Sequence, residues 1–315
     1  MSDEKNEDTA VSKQGVRSSL IKNKLRRQIF YQKERLRKAK EKREKKESRK
    51  RQAEEQVELG EDVPPKQRPR TIENTRVSDE TIVQVDDEEV LQDEEEDEMA
   101  PYFRRLVTPK VLIISISRPS RRTHLFMREL SATLPNSDVR SRKNVGIKKI
   151  IPVAVAHGYT DIIIVNQDRR LPNGILHTHL PDGPTAHFKL TNFKPVRQIK
   201  RRICTTECYP EVVLNNFTTR LGHTIARMLA VLFPHDPQFR ARRVVTFHNQ
   251  RDYIFFRQHR YVFSSSTKVQ LQEAGPRFTL KLRSLQHGTF DSKTGEYIWL
   301  HNRKQMDISR RKFHL

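Results

Sequence analysis

Two patterns of apolar and polar residues follow one another from about residue 101 to residue 290. Short runs of β-branched and aromatic residues are typical of strands, whereas apolar residues spaced three and four apart are typical of amphipathic helices. The patterns predict strands at 110–117, 161–167, 242–248, 251–263, 268–272 and 276–285, and two more within 174–193. They predict helices at 121–135, 146–158 and 215–234.

Local signals define where these elements begin and end. Ser120 is a suitable N-cap for the first helix, and Pro135 stops it. Gly158 ends the second helix, and the segment Pro181–Pro184 predicts a turn between two strands. Because strands alternate with helices, the predicted fold class is α/β, or mixed α+β.

The predicted elements occur twice in the same order. Residues 183–190 (GPTAHFKL) align with residues 275–282 (GPRFTLKL), with Gly, Pro, Lys and Leu in common. Residues 161–163 align with residues 252–254, and the first and third predicted helices share His, Arg and Leu at matching positions. The shared order predicts two half-domains of one plan. The alternative is that two strand–helix segments look alike because both obey the same packing rules.

Charge is distributed unevenly along the 315 residues, whose formal net charge is +22. Residues 1–100 carry 23 basic and 26 acidic side chains, whereas residues 101–315 carry 38 basic and 13 acidic ones. Within the first hundred, residues 11–51 hold 18 basic and 4 acidic side chains, and residues 79–98 hold 12 acidic and no basic ones. A domain with so large a positive excess repels itself, so an anionic partner is expected.

The first hundred residues are therefore predicted to be a charged extension, with the folded region beginning near residue 101. The basic arm, 11–51, is rich in helix formers but has too few apolar positions for a coiled coil. It is interpreted as a solvated, partly helical arm that serves nuclear import and RNA contact, or else as a solubilising tail. The acidic run, 79–98, is predicted to be disordered. It either covers the basic domain until RNA displaces it or is a plain spacer.

Several function classes are not expected. No run of about 18 apolar residues occurs, so no transmembrane helix and no membrane partner are predicted. The acidic N-terminus lacks the apolar region of a secretory signal, and two cysteines are too few for a disulfide scaffold. The two commonest glycine-rich phosphate-binding loops are missing from the sequence, and no cofactor is predicted.

Metal binding and catalysis are not expected either. Cys204 and Cys208 form a C-x₃-C motif, but a structural zinc site normally needs four ligands and no second cysteine pair exists. His177, His179 and His187 are interpreted as structural or RNA-facing rather than as a metal cluster. The acidic residues after residue 100 include no closely spaced set of the kind that holds Mg²⁺. We therefore predict no metal site, no catalytic residue and no enzymatic activity.

Three segments resemble the Brix-domain family of ribosome biogenesis factors. The run GPRFTLKLRSLQHGTF at 275–290 resembles the sigma-factor-like motif near the end of that domain. Residues 108–113, with Ser115 and the following Arg118-Pro119-Ser120, resemble its first strand. Residues 214–217 together with Leu221-Gly222 fit its central helix, and the resemblance extends over about residues 105–295.

The resemblance implies a domain organisation and a function. It implies a Brix domain of two halves resembling anticodon-binding domains, at 105–203 and 204–295, followed by a basic C-terminal tail at 296–315. It implies a nuclear and nucleolar assembly factor that binds the ribosomal RNA precursor of the large (60S) subunit and is required for its processing. It also implies other pre-ribosomal assembly factors as partners, including one dedicated protein partner.

Candidate RNA contacts are basic side chains that neutralise phosphates. In the strand 277–284, Phe278, Leu280 and Leu282 lie on one side and the polar residues on the other, which suits a core and an RNA surface respectively. The faces of the strand 251–263 are mixed, so its RNA side is not assigned. The predicted RNA-binding residues are Arg277, Lys281, Arg283, Arg257, His259, Arg260, Arg242, Arg243, Arg201, Arg202, Lys148, Lys149, Arg121 and Arg122.

Two functions of different class follow from these observations. The first is a non-catalytic RNA-binding assembly factor, whose surface is expected mainly in the second half-domain. The second is a protein-interaction scaffold that docks a dedicated partner at apolar strand edges, with incidental RNA contact.

Overall fold

The computed structural model describes residues 22–58, 69–84, 87–116, 118–142, 145–203, 208–289, 291, 295–309 and 311–315. The chain divides into two compact units, 1–69 and 70–315. The described part of the first unit is one helix, α1 (Lys24–Glu58), whose solvent-exposed surface carries Glu–Lys and Glu–Arg ion pairs one turn apart. The predicted helical arm is confirmed over this range, and residues 11–21 lie outside the described residues.

The second unit is a mixed α/β fold, as predicted. Its helices are α2 (Glu88–Glu96), α3 (Ala100–Phe103), α4 (Arg121–Thr133), α5 (Ile147–Ala156), α6 (Arg220–Val231) and α7 (Arg303–Met306). Its strands are β1 (Val111–Ser115), β2 (Ser137–Arg140), β3 (Asp161–Asp168), β4 (Leu171–His179), β5 (Thr185–Lys194), β6 (Glu211–Asn215), β7 (Arg243–Gln250), β8 (Tyr253–Ser265), β9 (Lys268–Glu273), β10 (Arg277–Gln286) and β11 (Tyr297–Leu300).

These strands form one sheet in the order β2-β1-β3-β4-β5-β10-β8-β7-β6, with β9 paired to β8 and β11 paired to β10. The segments β1-α4-β3-β4-β5 and β6-α6-β7-β8-β10 have the same sequence of parallel and antiparallel pairings. The two repeats meet where β5 pairs with β10 in antiparallel orientation. The predicted division at 203/204 lies between β5 and β6.

One of the sequence matches that indicated the repeat is wrong. Residues 161–163 belong to β3, whose counterpart in the second repeat is β7 and not the start of β8. The error arises because β2 and α5 lie between α4 and β3, whereas the second repeat has no such elements between α6 and β7 in the described residues. The number of residues between matching positions therefore changes after the first helix of each repeat. The helices and the strands β5 and β10 do correspond as the sequence indicated.

Helices cover the two faces of the sheet unequally. The larger core joins α4 and α6 to one face, where Phe126 of α4 meets Phe278 of β10 edge to face at 5.4 Å. A smaller core joins α5 to the opposite face through side chains such as Ile114, Ile162 and Ala154. Among the strands, the smaller core includes residues of β1, β3 and β4 only. Within the described residues, no helix packs through this core on the same face of β5, β10, β8 and β7.

The folded unit begins earlier than predicted. Backbone bonds join Val83 N–H to Thr218 O and Val77 N–H to Arg311 O. The acidic run is not disordered throughout, because residues 88–96 form α2, which holds Val90 buried and pairs its carboxylates with cations of α6. The sequence reveals a like-charge block but not the oppositely charged helix that it packs against.

The C-terminal segment is part of the fold rather than a free tail. β11 extends the sheet beside β10, and Leu315 is only 1% exposed within the larger core. The backbone N–H groups of His314 and Leu315 donate to the Asp252 carboxylate at 2.8 and 2.9 Å. The segment predicted as a basic C-terminal tail, 296–315, is therefore held in place at its end by burial and hydrogen bonds.

Candidate nucleic-acid interface

The uncovered side of the second half of the sheet carries cations and aromatic rings. We call this surface the open face; it consists of His187 and Lys189 of β5, Arg277, Lys281 and Arg283 of β10, Tyr253, Phe255, Arg257 and His259 of β8, and Thr246 and His248 of β7. Side chains alternate between the two sides of a strand, so these residues lie opposite the buried Ile254, Phe256 and Phe278. The alternation predicted for β10 is confirmed, and the burial resolves the mixed pattern of β8.

Strand register brings the open face together. Lys281 lies between Lys189 of β5 and Tyr253 of β8, its direct partners in the two ladders. Phe255 lies opposite His248, and Arg257 lies opposite Thr246. Directly paired residues of an antiparallel ladder place their Cβ atoms about 4.5–5.5 Å apart. Basic and aromatic side chains are therefore neighbours across β5, β10 and β8, and His248 of β7 lies beside Phe255.

Aromatic rings lie beside the cations. The Lys281 ammonium is 5.3 Å from the centre of the Tyr253 ring, and the Arg257 guanidinium is 6.0 Å from that of Phe255. Tyr253 is 41% exposed, so its ring remains available for stacking. This pairing suits unpaired bases, which stack on aromatic faces while the cations bind their phosphates.

Acidic side chains near the open face are already engaged. The Glu273 carboxylate pairs with Arg277, and Asp307 accepts from Lys281 at 3.2 Å. Asp307 also accepts from His301, whose other ring nitrogen lies 3.0 Å from the Arg283 guanidinium. Carboxylates thus hold Arg277 and Lys281 in defined positions. The open face remains positive, because its cations outnumber the two acids; these cations are Arg257, Arg277, Lys281, Arg283 and Lys189.

Burial and neighbouring charges lower the pKa values of two open-face histidines. Partial burial lowers the pKa of His259, and the charges of Arg257 and Arg277 lower it further against the opposing Glu273. Partial burial and Arg283 lower the pKa of His187 in the same way. A bound phosphate would reverse the electrostatic part of both shifts.

Lys148 borders the open face from α5. It lines a groove of about 490 Å³ together with His187, Ser284 and Tyr297. Its ammonium is 3.0 Å from the Asp291 carboxylate. The groove continues the polar surface of β5 and β10 towards the apolar side chains beneath α5.

The remaining predicted RNA contacts lie elsewhere. Arg121 and Arg122 are exposed on α4, on the opposite side of the sheet, and Lys149 lines a separate groove with Arg140. Arg260 belongs to the other side of β8, with Arg243 and Gln272 as its ladder partners. Arg201, Arg202 and Arg242 are exposed and lie in loops between elements.

Arg243 is not available to RNA, and its assignment as a contact is corrected. It is 3% exposed, and its guanidinium donates to Cys208 O at 2.9 Å, Ala132 O at 3.1 Å and Thr133 O at 2.8 Å. Burial lowers its pKa to about 10. It joins the C-terminal end of α4 to β7, where a cation also opposes the negative end of the helix dipole.

Six open-face residues were not among the predicted contacts: His187, Lys189, Thr246, His248, Tyr253 and Phe255. Of these, His187 and Lys189 flank Phe188 in β5, and both are exposed. The match of Lys189 with Lys281 in the internal repeat is the sequence signal that could have identified the lysine. Once Lys189 is placed, strand alternation puts His187, two residues earlier, on the same side.

The three histidines considered as a cluster do not lie together. His177 and His179 are buried and share one oxygen of Asp161, at 3.0 and 2.9 Å, whereas His187 lies opposite Leu176 on the other side of the sheet. Burial alone would raise the pKa of Asp161, but hydrogen bonds from both histidines hold it well below its usual range. The same contacts, with Glu98 and Asp97, overcome burial and raise the pKa of His179.

Within the part of the chain that the structure describes, no group of three His, Cys, Asp or Glu residues is arranged to hold a metal ion. Cys208 is a free thiol, and Cys204 lies outside the described residues. None of the described helices is both long and apolar enough to cross a membrane.

Comparison with known proteins gives the family. The model of the Brix domain matches residues 117–284. The chain belongs to the Brix family. This match lies within the region, 105–295, that the sequence motifs indicated, and it includes β5, β8 and β10 of the open face.

Relatives align well beyond the Brix domain. Ribosome production factor 1 of Xenopus laevis is 60% identical over 258 residues, which cover 82% of this chain and 75% of the relative. Ribosome production factor 1 of Pongo abelii is 54% identical and covers 96% of this chain and 86% of the relative. A Brix domain-containing protein of Schizosaccharomyces pombe is 41% identical and covers 78% of this chain and 83% of the relative.

Proposed function

We propose that this Brix protein is a non-catalytic assembly factor that binds ribosomal RNA precursor through the open face. The observation that carries the proposal is the group of cations on one side of β5, β10 and β8, with Lys281 paired to Lys189 and to Tyr253, whose ring is exposed. Cations of this kind neutralise phosphates, and rings beside them stack on unpaired bases. Strands fix the spacing of these groups, so the surface needs little reordering on binding.

The class of RNA is proposed from the family. The relatives of this chain are named ribosome production factors, which supports pre-ribosomal RNA as the ligand and the nucleus, in particular the nucleolus, as the location. The assignment to the large (60S) subunit, and to the processing of its precursor, is proposed from the motifs that resemble the Brix family. The protein would hold a single-stranded or looped segment in position while other proteins process it.

Binding rather than cleavage is the proposed action. The carboxylates nearest to the open-face cations, Glu273 and Asp307, are each engaged by a cation of that face. A carboxylate held in this way stabilises the position of its partner and is a poor general base. The proposed role of the surface is therefore to orient RNA.

A second candidate function, a docking scaffold for a protein partner, is favoured by the β8–β9 ribbon. Tyr261 lies opposite Leu271 and Phe263 opposite Val269, so these four side chains share one side of the ribbon. Phe263 is 63% exposed and Leu271 is 61% exposed. Apolar side chains gathered on one exposed surface are typical of protein interaction sites. A partner recovered after ribonuclease treatment of the complex would support this function, and loss of every partner would exclude it.

The RNA-binding proposal is tested by charge reversal on the open face. The variant carries Arg277→Glu, Lys281→Glu and Arg283→Glu, and its binding to a fluorescent single-stranded fragment of ribosomal RNA precursor is measured over a series of salt concentrations. A matched control carries three reversals in α1, Lys42→Glu, Lys46→Glu and Lys50→Glu.

Each lost phosphate contact lowers the slope of log affinity against log salt by about 0.7 for single strands, so the open-face variant should lose about two units of slope. The control should lose less slope, because the proposal places the main phosphate contacts on the open face. An open-face variant that keeps its circular dichroism spectrum, its affinity and its salt slope would overturn the proposal.

A further inference from the structure

Helices α4 and α6 occupy equivalent places in the two repeats. Each follows the first strand of its repeat and packs on the same side of the sheet. Their N-caps correspond as well: the Ser120 hydroxyl accepts from Thr123 N–H, and the Thr219 hydroxyl accepts from Gly222 N–H. The two helices can therefore be compared position by position.

Both helices carry the same stripe of cations on their outer side. Positions separated by three and four residues lie on one side of a helix. The α4 stripe consists of Arg121, His124 and Arg128, and the α6 stripe consists of Arg220, His223 and Arg227. Each α4 residue matches the α6 residue of the same type at the same distance from the N-cap.

The α6 stripe binds an acidic helix of the same chain. Glu94 of α2 accepts from His223 Nδ1 at 3.0 Å and from Arg227 Nη1 at 3.3 Å. Asp97, just after α2, accepts from Arg227 Nε at 3.2 Å, and the Arg220 guanidinium pairs with Glu89. These contacts demonstrate which ligand chemistry the stripe accepts.

A cation–π contact accompanies these ion pairs. Arg227 lies 4.4 Å from the centre of the Phe103 ring, which follows α2 in the chain. Val231, at the end of α6, is 1% exposed. The covered stripe has lost water at Arg227, whose side chain is 14% exposed.

The α4 stripe is uncovered. Arg121, His124 and Arg128 are all exposed, and none of them forms an ion pair within the described ranges of the chain. Ala132, the position that matches Val231, is exposed too. The first repeat thus presents the cations that the second repeat has already matched with carboxylates.

We propose that the outer side of α4 docks an acidic helical segment of a partner protein, in the manner in which α2 docks on α6. The α2 contacts identify carboxylates as the matching groups, and their spacing along a helix fits the spacing of the stripe. The stripe and the open face lie on opposite sides of the sheet, so partner and RNA can bind together. The proposal does not depend on RNA binding, and it assigns Arg121 to a protein contact.

A synthetic peptide of residues 87–99 is the probe, because it contains the acidic side chains that bind α6. Its fluorescein-labelled form is titrated with the full-length protein, with an Arg121→Glu/Arg128→Glu variant, and with a control variant, Arg303→Glu/Lys304→Glu, of equal charge change in α7. A second peptide carries Gln or Asn in place of Glu89, Glu94 and Asp97.

The proposal predicts binding by the full-length protein, at least tenfold weaker binding by the α4 variant, and no comparable loss in the control. The amide-containing peptide should bind at least tenfold more weakly, and added salt should weaken the binding of the acidic one. If the α4 variant unfolds, the Arg121→Gln/Arg128→Gln variant replaces it and is expected to give the same ranking.

Three results would overturn the proposal. One is no binding of the acidic peptide by the full-length protein, or equal binding by the α4 variant. The second is unchanged peptide binding together with reduced binding of single-stranded RNA by the α4 variant, which would make the stripe a nucleic-acid surface. The third is self-association of the full-length protein that the α4 variant loses in analytical ultracentrifugation, which would make α2 of a second copy the occupant.

Discussion

Lys189 and Lys281 lie directly opposite each other in the ladder where the two repeats meet. The neighbouring pairs are Phe188 with Leu282 and Leu190 with Leu280. The internal repeat matches Phe188 with Leu280 and Leu190 with Leu282, so the two pairs are related by a half-turn about the lysine pair. An approximate twofold axis therefore passes through the lysine pair. Like charges in directly opposed positions are destabilising, so under the proposed function this pair serves binding rather than stability.

Substituting Lys189→Glu should stabilise the fold while weakening RNA binding. The change replaces a repulsive pair with an attractive one and should raise the free energy of unfolding by about 0.5 kcal/mol. It also removes one phosphate contact and adds a repulsive charge. Urea denaturation and RNA titration of the same preparation measure both effects. Lower stability together with unchanged RNA affinity would contradict the assignment of this lysine.

Arg243 should matter for stability and not directly for RNA affinity. Its buried guanidinium donates to three carbonyl oxygens of α4 and the segment before β6. Arg243→Ala leaves these acceptors unsatisfied and should lower the free energy of unfolding by about 3 kcal/mol. The exposed neighbour provides the control, since Arg242→Ala should change stability by less than about 0.5 kcal/mol. Equal effects of the two substitutions would refute the structural role of Arg243.

The buried Asp161 network predicts a pH dependence of stability. The pKa of His179 is raised in the folded protein, so its contribution is present below the unfolded value, about 6.5, and is lost as the pH rises through the folded value. The pKa of Asp161 is lowered, so its contribution is present above about 3.8 and is lost as the pH falls towards the folded value. The contribution of these two groups to the free energy of unfolding is therefore greatest at mildly acidic pH.

Unfolding free energies measured between pH 5 and pH 9 test this network. The wild-type protein should lose stability as the pH rises above about 6.5, because His179 loses its proton while Asp161 stays charged. Asp161→Asn should lower stability by about 3 kcal/mol near pH 6 and flatten this dependence. If the unfolding free energies of the wild type and of Asp161→Asn change with pH in parallel over the whole range, the Asp161 network is not the source of the pH dependence.

RNA affinity should rise as the pH falls from about 7.5 to 6. The pKa values of His259 and His187 are lowered in the free protein by burial and neighbouring cations. Phosphate would favour the protonated rings, so binding takes up protons and is favoured at lower pH. The expected gain is about two- to tenfold, and the double variant His259→Gln/His187→Gln should lose most of it. An unchanged pH dependence in that variant would place the responsible groups elsewhere.

Much of the fold follows from local patterns. The strand β1, the N-cap Ser120 and the alternation in β10 each depend on neighbouring residues, and all three are confirmed. The strand β2 was missed because its residues are largely polar, and pairing with β1 determines it. The strands β6 (EVVLN) and β11 (YIWL) carry short apolar runs that are typical of strands, and they were not predicted.

The candidate site was only partly predictable, because register and burial act between distant segments. The alternation of β10 identified Arg277, Lys281 and Arg283, whereas the placement of Lys189 beside them depends on the β5–β10 ladder. Arg243 reads as one more cation in a basic run, and only the carbonyl groups around it distinguish it from Arg242. Charge alone cannot separate a buried anchor from a surface contact.

The central claim is that the open face binds ribosomal RNA precursor. The most direct measurement is ultraviolet crosslinking of the tagged protein in cells, with sequencing of the attached RNA and mass spectrometry of the attached peptide. The account predicts reads concentrated in one region of the large-subunit precursor, and crosslinked peptides from β8 and β10 that include Tyr253 or Phe255. Sparse reads spread over abundant RNAs, or crosslinks confined to α1, would contradict it.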